Sequence, residues 1–133
     1  MAMIEAHGLT KAYGDFTAVE NVDLTVESGD IHGFVGHNGA GKTTTMQMLT
    51  GLVTPTSGEA YIGGDPAGTR AATARIGYAP QDLAFYDSMT GRDYLVYMAR
   101  LSAVDVSAHD RAEEVLEWLD LMDAADQTVD GYS

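Results

Sequence analysis

The sequence predicts an α/β fold organised around a phosphate-binding loop. Three observations predict it: a glycine-rich motif with phosphate-loop spacing, a short apolar run just before it, and an amphipathic, helix-like run just after it. Patterning changes from strand-like to helix-like near residue 88. We therefore expect a β-rich nucleotide-binding core over residues 1–87 and a helical segment over residues 88–133.

The β-rich segment alternates strand patterns with turn signals. Residues 20–26 place Val22, Leu24 and Val26 on one side, as in a half-buried strand. Residues 31–35 are mostly apolar, which is typical of a strand buried on both faces. Strands are predicted over residues 20–26, 31–35, 58–62 and 75–78, with turns at 28–30 and 63–64 and a helix over 42–52.

The last third of the chain predicts two capped helices. Thr90 and Ser107 are each followed three residues later by an aspartate, which fits the pattern at a helix N-terminus. Apolar residues then recur at helical spacing, and we interpret these stripes as core packing. The stripes are Tyr94, Tyr97, Met98 and Leu101 in the first helix and Ala112, Val115, Leu116, Leu119 and Met122 in the second.

The charge balance is strongly acidic. The 133 residues carry 20 acidic and 7 basic side chains, for a net charge of −13, and no cysteine. Such a charge repels nucleic acid, so we expect no nucleic-acid partner, and it weakens the folded state unless salt screens it. Because the acids are spread along the chain, we favour a protein from a high-salt cytoplasm over a merely acidic one. No apolar run is long enough to cross a bilayer, so any link to a membrane is expected to pass through a partner protein.

The glycine-rich loop matches the pattern G-x-x-x-x-G-K-[ST] in full. Its glycines let the backbone turn tightly and point N–H groups at phosphate oxygens, and the following helix adds its positive dipole end. Lys42 is expected to bridge the β- and γ-phosphates of a nucleotide, and the Thr43 hydroxyl to bind Mg²⁺. The expected ligand-binding residues of the loop are Gly36, Asn38, Gly39, Ala40, Gly41, Lys42, Thr43 and Thr44.

A phosphate loop alone leaves GTPases, kinases and many motor proteins open, but the wider sequence narrows the choice. The segment GHNGAGKTTTMQMLTGLVTPTSGEAYIGG, which begins at Gly36, resembles the N-terminal half of the ATPase subunit of an ATP-binding cassette (ABC) transporter. The resemblance implies a P-loop NTPase fold, in which a RecA-like core with an antiparallel β-subdomain is followed by the start of an α-helical subdomain. It also implies binding of ATP and Mg²⁺, and a second ATPase subunit, identical or not, with ATP held between the two.

The resemblance also implies a place in the cell and a direction of transport. Transmembrane permease subunits would hold the ATPase subunit on the cytoplasmic, inner face of the cell membrane. The segment IGYAPQDLAFYD, which contains Gln81, is similar to the drug- or polymer-export branch of the family.

Three further site residues follow from the resemblance. Tyr13, in KAYGDFTAVENVDLTV, matches the aromatic residue that stacks on adenine. Gln81 matches the glutamine that binds Mg²⁺ and approaches the attacking water, so Lys42 and Gln81 are the catalytic candidates and Thr43 and Gln81 the metal ligands. Tyr132 and Ser133 match the start of the signature motif, whose serine contacts the γ-phosphate of ATP bound on the opposite subunit.

The sequence leaves two other functions open. One is a soluble ABC ATPase without a permease, and the other is a nucleotide-binding module without turnover. The general-base glutamate of the family is expected after residue 133, so we expect the chain to be truncated and, by itself, inactive as an ATPase.

Overall fold

The computed structural model describes residues 1–37, 39–82, 84–104 and 106–132. The chain divides into two compact units, Met1–Tyr78 and Ala79–Ser133. The division falls earlier than the change of pattern near residue 88. The described residues between 79 and 88 form neither a helix nor a strand. The sequence pattern therefore gave no sign of a boundary directly after Tyr78.

The first unit is built on an antiparallel sheet in the strand order β2-β1-β3-β4. Two long strands, β1 (Ala2–Tyr13) and β2 (Phe16–Glu27), form a hairpin that is closed by the turn at Gly14 and Asp15. The sheet continues with β3 (Ser57–Ile62) and the short β4 (Asp65–Pro66). The predicted strands at 20–26 and 58–62 and the turn at 63–64 are confirmed.

Helix α1 (Lys42–Leu49) packs one face on this sheet. Its Met48 and Leu49 join residues of β1, β2 and β3 in a buried cluster made of Ala6, Leu9, Val19, Met48, Leu49 and Ala60. The helix ends before the predicted Leu52 because Gly51 adopts a left-handed conformation (φ 80°) and its N–H bonds to the Met48 carbonyl. The segment between β2 and α1 contains the glycine-rich loop. The sheet therefore holds one end of this segment, and α1 holds the other.

Two predicted strands are wrong. Residues 31–35 are not a strand: Ile31 and Val35 are almost fully exposed, and no described strand lies beside them to supply backbone partners. Residues 75–78 are also not a strand, because Arg75 and Ile76 donate their N–H groups to carbonyls of the short helix α2 (Arg70–Thr73). An apolar run becomes a strand only where a neighbouring strand can pair with it.

The second unit is helical, as predicted. Helices α3 (Gly91–Leu101) and α4 (Ala108–Trp118) pack against each other, and two short 3₁₀ turns follow at Met122–Ala124 and Val129–Gly131. Thr90 and Asp93 form a complete capping box on α3, and the Ser107 hydroxyl accepts the N–H of Asp110 at α4. Both helix starts therefore lie where the sequence placed them.

The buried faces of these helices differ in part from the predicted stripes. The buried apolar residues are Val96 and Ala99 in α3 and Ala112 and Leu116 in α4, whereas Leu101 is 63% exposed. Small side chains such as alanine allow two helices to approach closely, so they form the contact, and several larger apolar side chains remain at the surface. The exposed members of the predicted stripes are Tyr97, Met98, Leu101, Leu119 and Met122.

Candidate nucleotide-binding site

The glycine-rich loop turns by means of left-handed glycines. Gly39 and Gly41 have φ values of 85° and 88°, a region that costs other residues about 1–2 kcal/mol. The Ala40 N–H bonds to the His37 carbonyl at 3.1 Å and closes a tight turn between them. Asn38, a predicted ligand-binding residue, lies outside the described residues.

The loop is anchored on strand β2 at Gly41. A Cβ atom at this position would lie 2.8 Å from Val19 Cγ2 and 2.5 Å from the Ala18 carbonyl oxygen. Gly41 therefore needs to be glycine for two reasons, its backbone conformation and the strand packed against it. The sequence motif shows the first reason only, because Ala18 and Val19 are distant in sequence.

The N-terminus of α1 is open, in contrast to those of the other α-helices in the described residues. Side-chain hydroxyls of Thr69, Thr90 and Ser107 cap α2, α3 and α4, whereas no side-chain hydrogen bond caps α1 at Gly41. The first turn of α1 also has no acidic residue. The first N–H groups of a helix need partners and carry partial positive charge, so this end is suited to an anion.

The hydroxyl and ammonium groups at the start of α1 have different surroundings. Lys42 Nζ donates to the Gly36 carbonyl, so its side chain folds back over the loop. Thr43 is exposed and Thr44 half-buried, whereas Thr45 is buried and donates its hydroxyl to the Gly41 carbonyl at 2.8 Å. The Thr45 hydroxyl is therefore engaged in holding the helix start, and Thr43 offers the accessible oxygen. An ammonium, a hydroxyl and uncapped backbone N–H groups together are a donor set that fits a magnesium-bound phosphate.

Tyr13 lies at the end of the β1–β2 hairpin that supports the loop. It pairs with Phe16, and two residues earlier Lys11 pairs with Val19, the residue packed on Gly41. Two residues of a strand span roughly 7 Å, so Tyr13 is at the same end of the hairpin as the loop anchor. Its side chain is 49% exposed, and Lys11 Nζ lies 5.0 Å from the ring centroid, on one face of the ring.

Phe16 is a second exposed aromatic residue at this hairpin end, and sequence reasoning did not single it out. It is 63% exposed and directly opposite Tyr13 in the strand register. The signal that could have found it is the aromatic–Gly–Asp–aromatic sequence of the hairpin turn, residues 13–16.

The remaining predicted site residues belong to the second unit. Gln81 lies in an exposed bend. Tyr132 is half-buried, and its hydroxyl donates to the Ala124 carbonyl. Ser133, the predicted γ-phosphate contact, lies outside the described residues.

No group of three or more histidine, cysteine, aspartate or glutamate side chains in the described part of the chain is placed to hold a metal ion. None of the helices that the structure describes is both long enough and apolar enough to span a bilayer.

A glycine-rich loop of the pattern G-x-x-x-x-G-K-[ST] that leads into a helix is the defining motif of P-loop NTPases, and the segment from Gly36 to Thr43, which leads into α1, has this form. The family model described as ABC transporter matches residues 19–133. The chain therefore belongs to the ABC transporter ATP-binding family.

Similar proteins agree with this assignment. An uncharacterized ABC transporter ATP-binding protein of Bacillus subtilis (strain 168), YxlF, is 39% identical over 132 residues, which cover 98% of this chain and 44% of the relative. The daunorubicin/doxorubicin resistance ATP-binding protein DrrA of Streptomyces peucetius is 37% identical, over 98% of this chain and 40% of its own. A solved ATP-binding subunit of an ABC transporter superposes with a TM-score of 0.82 and 24% identity, over 98% of this chain and 56% of that chain, which supports the fold. The chain thus spans less than half the length of these curated relatives.

Proposed function

We propose that this chain is the nucleotide-binding part of an ATP-hydrolysing subunit that powers export across a membrane. The observation that carries the proposal is the uncapped start of α1. It follows a loop with two left-handed glycines, and the Lys42 side chain folds back over this loop. These groups supply what a nucleotide phosphate chain needs: oriented N–H donors, one positive charge and an accessible hydroxyl.

We propose the following roles for the residues of the loop. Lys42, which now donates to Gly36, would turn its ammonium to the β- and γ-phosphates, and Thr43 would direct its hydroxyl at the metal. Gly36, Asn38, Gly39, Ala40, Gly41 and Thr44 would line the phosphates with backbone and side-chain donors. When bound, Mg²⁺ would neutralise charge on the phosphate oxygens.

Outside the loop, three residues would complete the site. Tyr13 would stack one face of its ring on adenine, since Lys11 lies over the other face. Gln81 would offer its amide oxygen to Mg²⁺ and act near the attacking water. Ser133 would contact the γ-phosphate of ATP held by the opposite subunit.

The partners and the place in the cell follow from the family. We propose a second ATPase subunit and transmembrane permease subunits as partners, which would hold the protein at the cytoplasmic face of the membrane. The name of DrrA, a drug resistance protein, supports a small-molecule drug as the exported substrate. The general base would come from residues beyond these 133, so the polypeptide 1–133 by itself is expected to bind nucleotide weakly and to lack turnover.

Substitution of Lys42 tests the site directly. In the full-length protein, Lys42→Ala is expected to reduce ATP turnover by about 100-fold or more, because phosphoryl transfer depends on positioning and charge stabilisation. ATP turnover and equilibrium binding of a fluorescent ATP analogue are the two measurements.

The matched control is Arg70→Ala, which also removes one positive charge from the first unit. Arg70 is exposed, and its side chain makes no ion pair or hydrogen bond with the described residues. The control is expected to keep turnover within about two-fold, as for surface substitutions away from the site. Unchanged ATP affinity and turnover in Lys42→Ala would show that the site is wrongly assigned.

A further inference from the structure

The helical unit contains a close contact between the start of α3 and the end of the described chain. The ring of Tyr132 lies against Gly91, so a Cβ atom at Gly91 would overlap the Tyr132 hydroxyl oxygen and lie 2.9 Å from Cζ. The same hydroxyl donates to the Ala124 carbonyl. The phenol is therefore held between the start of α3 and the 3₁₀ turn at Met122–Ala124.

The backbone around this contact is also fixed. The N–H groups of Gly91 and Arg92 donate to the carbonyls of Gln127 and Ala125 at 3.1 and 2.9 Å. Across the same junction, the Val129 N–H donates to the Met89 carbonyl at 2.9 Å. Residues 125–129 are thus attached to the start of α3 by three backbone hydrogen bonds.

The guanidinium of Arg92 reinforces the junction. It pairs with Glu113 of α4 and with Asp126, and these hydrogen bonds, that of Glu113 first, raise the pKa of Arg92 above its usual value. The arginine therefore remains charged, and it links α3, α4 and the segment that leads to Tyr132.

Nothing else in the described structure requires glycine at position 91. Its φ lies outside the left-handed region, and the capping box of Thr90 and Asp93 already supports the helix start. Glycine loses more conformational freedom on folding than any other residue, so its presence at a position with an ordinary φ needs a reason. The space taken by the Tyr132 ring supplies that reason.

We infer that Gly91 and Tyr132 form a positioning pair that fixes the backbone leading into the signature motif. Tyr132 directly precedes Ser133 in the chain, so fixing Tyr132 fixes the backbone that enters the proposed signature motif. This inference rests on the proposed role of Ser133 at the γ-phosphate of the opposite subunit. The pair acts through Ser133 and is not itself in contact with the nucleotide.

A double-mutant cycle in the full-length protein tests the pair. Gly91→Val is expected to lower kcat about ten-fold or more, because misplacing a reacting group by about 1 Å can cost up to 100-fold. The KM for ATP and the affinity for an ATP analogue are expected to stay within about two-fold, since the phosphate loop belongs to the other unit. Tyr132→Leu in the Gly91→Val background removes the overlap and is expected to restore part of kcat.

Milder variants keep the test valid if Gly91→Val does not fold. Gly91→Ala is expected to lower kcat, whereas Gly131→Ala is not, because no atom of the described residues lies within 4 Å of a Cβ built at Gly131. Tyr132→Phe keeps the ring and loses only the bond to Ala124, so its kcat is expected to exceed that of Tyr132→Leu.

Two results would overturn the inference: wild-type kcat in a folded Gly91→Ala or Gly91→Val protein, or a double variant no better than Gly91→Val. Ser133→Ala separates this inference from the function on which it rests. If Ser133→Ala abolishes turnover while the Gly91 variants do not, the pair is wrong and the signature role stands. If Ser133→Ala has wild-type turnover, the signature role itself is wrong.

Discussion

Gly41→Ala offers the sharpest test of how the phosphate loop is held. The substitution adds one methyl group where the structure leaves no room, 2.5 Å from the Ala18 carbonyl oxygen and 2.8 Å from Val19 Cγ2. It also forces alanine into a left-handed conformation, at φ 88°. The conformational cost is about 1–2 kcal/mol. Overpacking against a well-packed neighbour adds about 1–3 kcal/mol.

Gly39→Ala is the matched control, because it carries the first cost without the second. Gly39 has nearly the same φ, 85°, but no described atom lies within 4 Å of a Cβ built on it. The gain from a less flexible unfolded chain is the same for both substitutions, so it cancels in the comparison. Gly41→Ala is therefore expected to be less stable than Gly39→Ala by about 1–3 kcal/mol.

The assay is urea denaturation of the full-length protein without nucleotide, since a bound ligand would raise the apparent stability of the folded state. Circular dichroism reports on the unfolding transition. Surface substitutions usually change the free energy of unfolding by no more than about 0.5 kcal/mol. If the Gly41→Ala and Gly39→Ala proteins agree within that range, the contact between the loop and β2 is refuted.

Two further predictions concern the stacking of Tyr13 on the adenine base and the effect of the net charge on stability. Tyr13→Ala is expected to weaken ATP binding about ten-fold, the lower end of the range for base stacking, while Tyr13→Phe retains affinity. A competition titration in which the alanine and phenylalanine variants bind alike would contradict stacking, and Phe16→Ala beside them shows whether the second aromatic shares the role. With a net charge of −13, the protein is expected to melt at a higher temperature in molar KCl than in dilute buffer, because salt screens self-repulsion. Thermal melts across a KCl series measure this, and a flat or falling series would remove the argument for a high-salt cytoplasm.

The sequence by itself determined the features that depend on neighbouring residues. The loop motif, the capping residues Thr90 and Ser107 and the alternation of residues 20–26 were readable because a cap, a turn or a strand face is set within a few positions. The family was readable for a similar reason, since its motifs are short contiguous segments. The roles proposed for Lys42 and Thr43 also rest on this local pattern.

Only the tertiary structure decided how distant segments meet. The apolar run at residues 31–35 has the composition of a buried strand, yet Ile31 and Val35 are exposed, because burial and pairing depend on neighbours that its own sequence does not specify. The contact of Gly41 with Val19 and the contact of Tyr132 with Gly91 likewise cannot be seen in any local sequence pattern. Each joins residues more than 20 positions apart, and such contacts are fixed by the packing of whole elements rather than by the spacing of side chains along one of them.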